Sequence, residues 1–305
     1  MKTLNIAYPD KSDIKFEVSK FPDGQGQIKI IPESLKYILP DKTVTNWDVV
    51  YVQIKSRLNN FQDLELIVAA VASLRGLGVK EIHLYTPYFL GSRSDIKFEE
   101  GSNNYLKEVI CPIINNLKLE SITILDPHST VLEACLNNFK KIDNRQVVER
   151  FISDTNATLD SFVLVAPDGG SLKKIYKTAE QIGYNAEVIT CSKSRGVDGK
   201  ISKTVVPDLH YDVISKNKNI LIVDDLIDGG KTFIEIAKII KEQIAEYNKS
   251  HEPANTSKLY LIVTHGIFSK GFGELAQYFE AIYTTNSYKD FMPDTSIFIK
   301  QLNVF

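Results

Sequence analysis

The sequence predicts an α/β protein of two halves, each a parallel sheet flanked by helices. Two observations carry this. Short apolar runs that read as buried strands alternate with longer stretches whose apolar residues recur at helical spacing. That alternation stops near the middle of the 305-residue chain and then starts again. A composition of 43% hydrophobic and 24% charged residues is ordinary for a globular protein and excludes disorder over most of its length.

The first half begins with strand-like runs at 4–7, 14–18 and 28–31. Between the last two, Phe21-Pro22-Asp23-Gly24 reads as a turn, because Pro presets φ and Gly accepts positive φ. Residues 48–54 (DVVYVQI) read as a buried strand. From Phe61 to Leu77, apolar residues fall at Leu64, Ile67, Val68, Val71 and Leu74, so an amphipathic helix is expected, ending near Gly78. A strand at 82–88, a helix at 103–117 and a strand at 122–125 follow. In the second half, strands are expected at 162–166, 187–190, 220–223, 259–263, 281–284 and 297–302. Helices are expected at 171–182 and 231–247. The polar stretch around 140–158 reads as the boundary, giving domains 1–145 and 146–305. Residues 193–218 hold Gly, Asp, Lys and Ser with few apolar residues and read as a mobile flap.

With 36 Lys and Arg against 38 Asp and Glu, the net charge is −2, which argues against a nucleic-acid or polybasic membrane-surface partner. Three scattered cysteines with no C-x-x-C pair argue against a disulfide framework or a Cys-rich zinc site. The first residues lack the apolar core of a signal peptide, and no apolar run is long enough to span a bilayer. A soluble cytoplasmic protein is the expectation.

In open parallel sheets, ligands bind beyond the carboxyl ends of the strands. Four loops at such ends carry chemistry. In Asp224-Asp225-Leu226-Ile227-Asp228-Gly229-Gly230-Lys231-Thr232, an apolar strand meets two acids, a Gly pair and a helix start. Gly lets backbone N–H groups converge on an anion, the helix terminus adds positive potential, and carboxylates suit sugar hydroxyls or hydrated Mg²⁺. This is not a Walker A loop, because Asp225 stands where that motif needs its first Gly. Pro167-Asp168-Gly169-Gly170-Ser171 repeats the strand, acid, glycine, helix order, although a turn with an N-cap explains it equally well alone. Pro87 to Asp95 offers Arg93, whose planar fork suits phosphate. Asp126-Pro127-His128 offers a His at a strand end, a candidate metal or phosphate contact.

These residues, taken together, resemble the ribose-phosphate pyrophosphokinase family, and IVDDLIDGGKT resembles the sugar-phosphate loop of the phosphoribosyltransferase fold. FPDGQ (21–25) is similar to the family's F-x-D-G-E, and residues 59–95 to its long helix and P-Y-F-x-Y-x-R-Q-D segment. DPH (126–128), APDGG (166–170), SKSR (192–195) and VTHGIFS (263–269) resemble its D-L-H, S-P-D-x-G, K-x-R and T-H-x-x-F-S motifs. The order is collinear over nearly the whole chain.

The resemblance implies two phosphoribosyltransferase-like domains, an ATP side and a ribose-phosphate side. It implies transfer of the β,γ-diphosphate of ATP to the anomeric hydroxyl of ribose 5-phosphate, leaving AMP. Phe21, Asp23 and Gln25 would hold adenine, from a neighbouring subunit of a homo-oligomer (dimer or larger). Arg93, Ser94, Asp95 and His128 would line the ATP site. His128 and Asp168 would hold Mg²⁺. Asp224 and Asp225 would hold ribose hydroxyls and a second Mg²⁺, and Asp228, Gly229, Gly230, Lys231 and Thr232 the 5-phosphate. Lys193 and Arg195 would act on the transferring group as catalytic cations.

Several positions depart from the family pattern. Gln25 replaces Glu, Ser94 replaces Gln and Ser171 replaces Gly. Most telling, T-G-G-T becomes Gly229-Gly230-Lys231-Thr232. A Lys there either reshapes the loop or meets extra negative charge, as on an acceptor such as ADP-ribose, whose 5-position carries a diphosphate. That chemistry would give ADP-ribose pyrophosphate, toward NAD synthesis. Residues 42–47 (KTVTNW) lack the family's E-S-V-R-G, so weak or absent activation by phosphate is expected and is read from rate against phosphate concentration. The chain ends after its last expected strand, where the family usually adds a helix. An ordinary phosphoribosyltransferase would use the same sugar-phosphate loop but not Arg93 and His128 in a second α/β half. A non-catalytic relative would be expected to lose the loop acids and flap cations present here.

Overall fold

The computed structural model describes residues 1–35, 51–195, 201–291 and 298–305, without the side chains of 193–195 and 201–203. The expected features at 42–47 and 48–50, and residue 297, lie outside the described residues. The chain divides into two compact units, Met1–Ile142 with Phe305, and Asp143–Val304.

The first unit is built on a parallel sheet of β1 (Lys2–Asn5), β4 (Tyr51–Lys55), β5 (Glu81–Tyr85), β6 (Ser121–Leu125) and β7 (Phe139–Ile142), in that spatial order. β2 (Phe16–Lys20) and β3 (Gly26–Ile30) form a separate antiparallel hairpin. Helix α1 (Phe61–Gly76) starts where the Asn60 side chain accepts from the Asp63 N–H at 3.0 Å, an N-cap bond. It buries Leu64, Ile67, Ala70, Val71 and Leu74, four of them at expected positions, while the expected Val68 is only half-buried. The expected helix at 103–117 is a π-helical turn, Leu106–Ile110, followed by α2 (Cys111–Asn116). α3 (Val131–Cys135) follows β6. All three cysteines are free thiols, and burial pushes Cys111 up to about 12, with Cys135 nearby adding to the shift.

The second unit holds a six-stranded parallel sheet: β15 (Ile299–Leu302), β14 (Ala281–Thr285), β13 (Leu259–Gly266), β12 (Asn219–Ile227), β8 (Phe162–Ala166) and β9 (Val188–Thr190). Period-two alternation gives each strand two buried faces. Val163, Val165, Ile220, Ile222, Leu261 and Val263 share one core with α7 (Lys231–Asn248). Phe162, Leu164, Leu221, Val223, Tyr260 and Ile262 share the other with α4 (Arg145–Thr155) and α5 (Gly169–Ile182).

Three features were not expected from the sequence, and each has a physical reason. The polar stretch at 140–158 contains the division between the units, yet β7 and α4 occupy it, and α4 buries Val147, Val148 and Phe151 on one face. The segment expected as a flap carries regular structure among its described residues. β10 (Ser192–Arg195) pairs antiparallel with β11 (Ile201–Val205), and α6 (Tyr211–Ser215) follows. Val206, Leu209, Val213 and Ile214 are buried in the α7-side core, so sparse apolar residues anchor 206–214. Finally, β12 does not stop at Val223 but runs through Asp224 and Asp225 to Ile227. Among the described residues, no helix is long and apolar enough to cross a membrane.

Candidate active site

In the second unit, the site grows from the carboxyl edge of the sheet. β8 pairs with β12 only as far as Val165 against Ile222, whereas β12 continues beside β13, with Asp224 opposite Val263 and Ile227 opposite Gly266. The overhang presents Asp224 and Asp225 beyond the end of β8. The chain after β8 turns at Asp168, whose Oδ1 accepts from the N–H groups of Gly170 at 3.0 Å and Ser171 at 3.2 Å. Asp168 is thus the N-cap of α5, as the bland reading of its motif allowed.

Asp168 also belongs to an acidic cluster. The Asp224 carboxyl is held well above the usual carboxylate range, first by burial and then by the charges of Asp225 and Asp168. The Asp225 N–H, donating to Asp224 Oδ1 at 2.9 Å, and the Lys174 ammonium act against that shift. Lys174, on α5, makes a buried ion pair with Asp225. Asp225 is only 5% exposed, and its charge is offset within the protein. Asp224 is the carboxylate that gains most from an incoming cation. Lys174 gave no sequence signal, because a lysine on an amphipathic helix reads as solvated.

Beyond Ile227, Asp228, Gly229 and Gly230 lead into α7, whose first residue is Lys231. Gly230 takes φ +80 and is the N-cap of α7, contributing no side-chain hydrogen bond to the helix start, where the N–H groups and helix dipole favour an anion. The φ freedom that the T-G-G-T pattern demands therefore falls on Gly230, and Lys231 fits without strain as an ordinary helical residue. Gly230→Ala is expected to cost about 1–2 kcal/mol from the left-handed backbone alone. Leu275, 3.3 Å from where the new Cβ would sit, adds to that. Gly229→Ala, with no positive φ, is expected to cost less; paired thermal melts compare them. The side chain of Lys231 is 83% exposed and 3.7 Å from Glu235.

The neighbouring turn after β13 covers this loop. Phe268 is held at φ 48 with its ring 4.7 Å from Phe272 and 5.2 Å from Phe291. This anchored turn lays the Lys270 stem 3.4–3.6 Å from where a Gly229 Cβ would sit. Lys270 was not singled out in the sequence, since only its fold neighbour reveals it. His265, in the same motif, is buried with Nδ1 2.8 Å from Ser287 Oγ, a packed polar pair in the sheet. Lys193 and Arg195 occupy β10, with Lys193 opposite Thr204; their side chains lie outside the described residues.

In the first unit, the loops after β5 and β6 lie side by side, because Leu125 N–H donates to Pro87 O at 3.1 Å. That brings the segments bearing Arg93, Ser94, Asp95 and His128 to one sheet edge. Arg93 and His128 are exposed; Ser94 N–H donates to Gly91 O at 2.8 Å, closing a turn. Asp126 is buried at 2% exposure with φ 39, a strained position just before His128. Phe21, Asp23 and Gln25 sit at the tip of the β2–β3 hairpin, where Asp23 Oδ1 accepts from the Gln25 N–H at 3.1 Å. The hairpin is fastened to α1, through Gly26 N–H to Glu65 at 3.0 Å, and Phe21 is 46% exposed.

A family model described as the phosphoribosyl transferase domain matches residues 138–253, which include the acidic cluster and the glycine loop. The ribose-phosphate pyrophosphokinase of Pyrococcus furiosus is 26% identical over 293 residues, covering 94% of this chain and 91% of that protein. The enzyme of the same name from Mycoplasmopsis pulmonis is 27% identical over 250 residues, covering 81% and 71%. The chain is similar to ribose-phosphate pyrophosphokinases over most of its length. The likeness is a divergent one, and by class it makes the chain a diphosphokinase-like transferase. The fold agrees: a phosphoribosylpyrophosphate synthetase from Mycobacterium smegmatis superposes with a TM-score of 0.73 at 16% identity, covering 97% of this chain and 88% of that one.

Among the described residues, no group of three His, Cys, Asp or Glu side chains forms a ready metal cage. Mg²⁺ is satisfied by one or two carboxylates, with waters and substrate phosphates completing its shell. An electrostatically crowded Asp224 beside Asp168 is such a donor set.

Proposed function

We propose that the protein transfers the β,γ-diphosphate of ATP to the 1-hydroxyl of ribose 5-phosphate, giving phosphoribosyl pyrophosphate and AMP. The acceptor oxygen bonds to the β-phosphorus, the bond to the α–β bridging oxygen breaks, AMP leaves and the hydroxyl proton passes to solvent. The observation that carries the reading is the overhang of β12, which delivers Asp224 and then the glycine-capped start of α7 on one continuous segment. The first suits a ribose hydroxyl or a cation, the second a phosphate.

In this reading, Asp228, Gly229, Gly230, Lys231 and Thr232 bind the 5-phosphate. Asp224 and Asp225 orient the ribose hydroxyls, with Lys174 holding Asp225 in place. Asp224 and Asp168 in the second unit, and His128 in the first, would each hold Mg²⁺ that neutralises phosphate charge. Arg93, Ser94, Asp95 and His128 bind ATP, and Lys193 and Arg195 stabilise the transferring group. Diphosphoryl transfer depends on positioning and charge neutralisation more than on covalent chemistry, so few residues need to be nucleophiles or bases. A homo-oligomer would supply the 21–25 hairpin tip to a neighbouring ATP site.

A second reading is favoured by Lys231 and Lys270. Lys231 is exposed at the helix start and the Lys270 stem lies along Gly229, so two cations border the glycine loop. They suit an acceptor with a second phosphate at its 5-position, such as ADP-ribose. AMP release is measured with each acceptor and Mg²⁺. AMP release that depends on one of these acceptors is expected; none with either would overturn the proposal. If ADP-ribose is the acceptor, Lys270→Ala is expected to lower the ADP-ribose to ribose 5-phosphate ratio of kcat/KM about fivefold, a lost surface charge contact being worth ~1 kcal/mol. An unchanged ratio would return the site to ribose 5-phosphate.

A further inference from the structure

Glu235 stands one helical turn into α7, four residues after Lys231 of the glycine loop. Its two carboxylate oxygens face different elements. Oε1 lies 3.7 Å from the Lys231 ammonium. Oε2 accepts a 2.6 Å hydrogen bond from Thr204 Oγ1 on β11. Thr204 is buried at 8% exposure and is the cross-strand partner of Lys193 in the β10–β11 pair.

One carboxylate therefore connects the acceptor loop to the hairpin that presents Lys193 and Arg195. The geometry is directional. An exposed i,i+4 pair such as Lys231–Glu235 is weak alone. A hydroxyl bonded at short range to a carboxylate, with that hydroxyl buried, is strong and fixes the register of β11 on α7. A shift of the hairpin along α7 would carry the backbone of Lys193 with it, because Lys193 and Thr204 are paired. Displacements of about 1 Å in a positioned group cost roughly a hundredfold in rate.

We propose that Glu235 is a positioning residue for diphosphoryl transfer: through Thr204 it sets the Lys193–Arg195 strand against the acceptor-binding start of α7. The inference rests on the reading of those two segments given above. It asks nothing of substrate contact by Glu235 itself.

The test compares Glu235→Ala, Thr204→Val, their double variant and Glu235→Gln, each checked by thermal melt. Gln keeps an oxygen to accept from Thr204 and loses only the charge toward Lys231. Expected for Glu235→Ala is a fall in kcat of about tenfold or more with acceptor KM changed by less than about threefold. The double variant should be no worse than either single one, and Glu235→Gln should recover most of the rate. Hydrogen exchange of the 192–195 and 201–205 amides should rise in Glu235→Ala and Thr204→Val but not in Glu235→Gln. That readout is independent of turnover. Inactivity of the unsubstituted protein toward every acceptor would sink the functional reading while leaving the exchange result to decide the tie. Unchanged exchange, or additive losses in the double variant, would overturn the role of Glu235.

Discussion

Asp224→Asn is expected to nearly abolish AMP release, by about 10²–10³-fold or more, the scale seen when one charge-stabilising group is removed from an active site. The same change is expected to make the ligand-free fold more stable. Asp224 is half-buried beside Asp225 and Asp168, and its carboxyl is held above the usual range by desolvation and those charges. A folded-state pKa above the unfolded one means the ionised group opposes folding. The penalty is absent below the unfolded carboxylate pKa and complete above the raised folded value. Asn removes it, so its melting advantage should grow as pH rises through that window, reaching roughly 2–4 °C per kcal/mol for a unit of this size. Mg²⁺ with acceptor should raise the melting temperature of the unsubstituted protein and not of the variant. A variant that is both inactive and destabilised at high pH would contradict this account of Asp224, since the loss would then be one of folding.

Lys193→Ala is expected to lower kcat by about 10²–10³-fold with little change in melting temperature. Diphosphoryl transfer leaves charge on equatorial and leaving oxygens, and a cation there acts only as that charge develops. KM for the acceptor should move little, because the acceptor is held by the start of α7. Lys193→Arg keeps the charge but not the compact ammonium, and an intermediate rate is expected. If Lys193→Ala released AMP at the unsubstituted rate, the catalytic role would pass to other residues and a non-catalytic hairpin would be the better description.

How much of this was legible in the sequence depends on which physical signal each element carries. The β8, β12 and β13 cores are apolar runs, and their strand character is plain from composition. The extension of β12 through Asp224 and Asp225 is invisible to hydropathy, because the acids pair along the backbone with Val263 and its neighbours rather than by side chain. α4 was hidden for the opposite reason. Its buried face is just Val147, Val148 and Phe151 among charged residues, so a helix reads as a polar boundary. The 206–214 stretch shows the same failure, with apolar anchors spaced too widely for a period.

The acidic glycine loop was legible because its composition has no better structural use, and the family resemblance gave it a role. The groups around it were not. Lys174, Lys270 and Glu235 are charged residues on ordinary helices and turns, and each acquires meaning only from a partner distant in sequence: Asp225, Gly229 and Thr204 respectively. The Lys231 substitution raised a question about backbone freedom that the structure answers, since Gly230 carries the left-handed conformation. Asp168 is a helix cap, one of the readings its motif allowed, and also belongs to the acidic cluster.

The central claim is the bond that breaks in ATP. ATP labelled at the β-phosphorus, incubated with Mg²⁺, the protein and ribose 5-phosphate or ADP-ribose, reads this directly. The account expects the label to appear in the acceptor as a 1-diphosphate, with unlabelled AMP formed in equal amount. Label recovered in ADP, or left in intact ATP while the acceptor is unchanged, would contradict it.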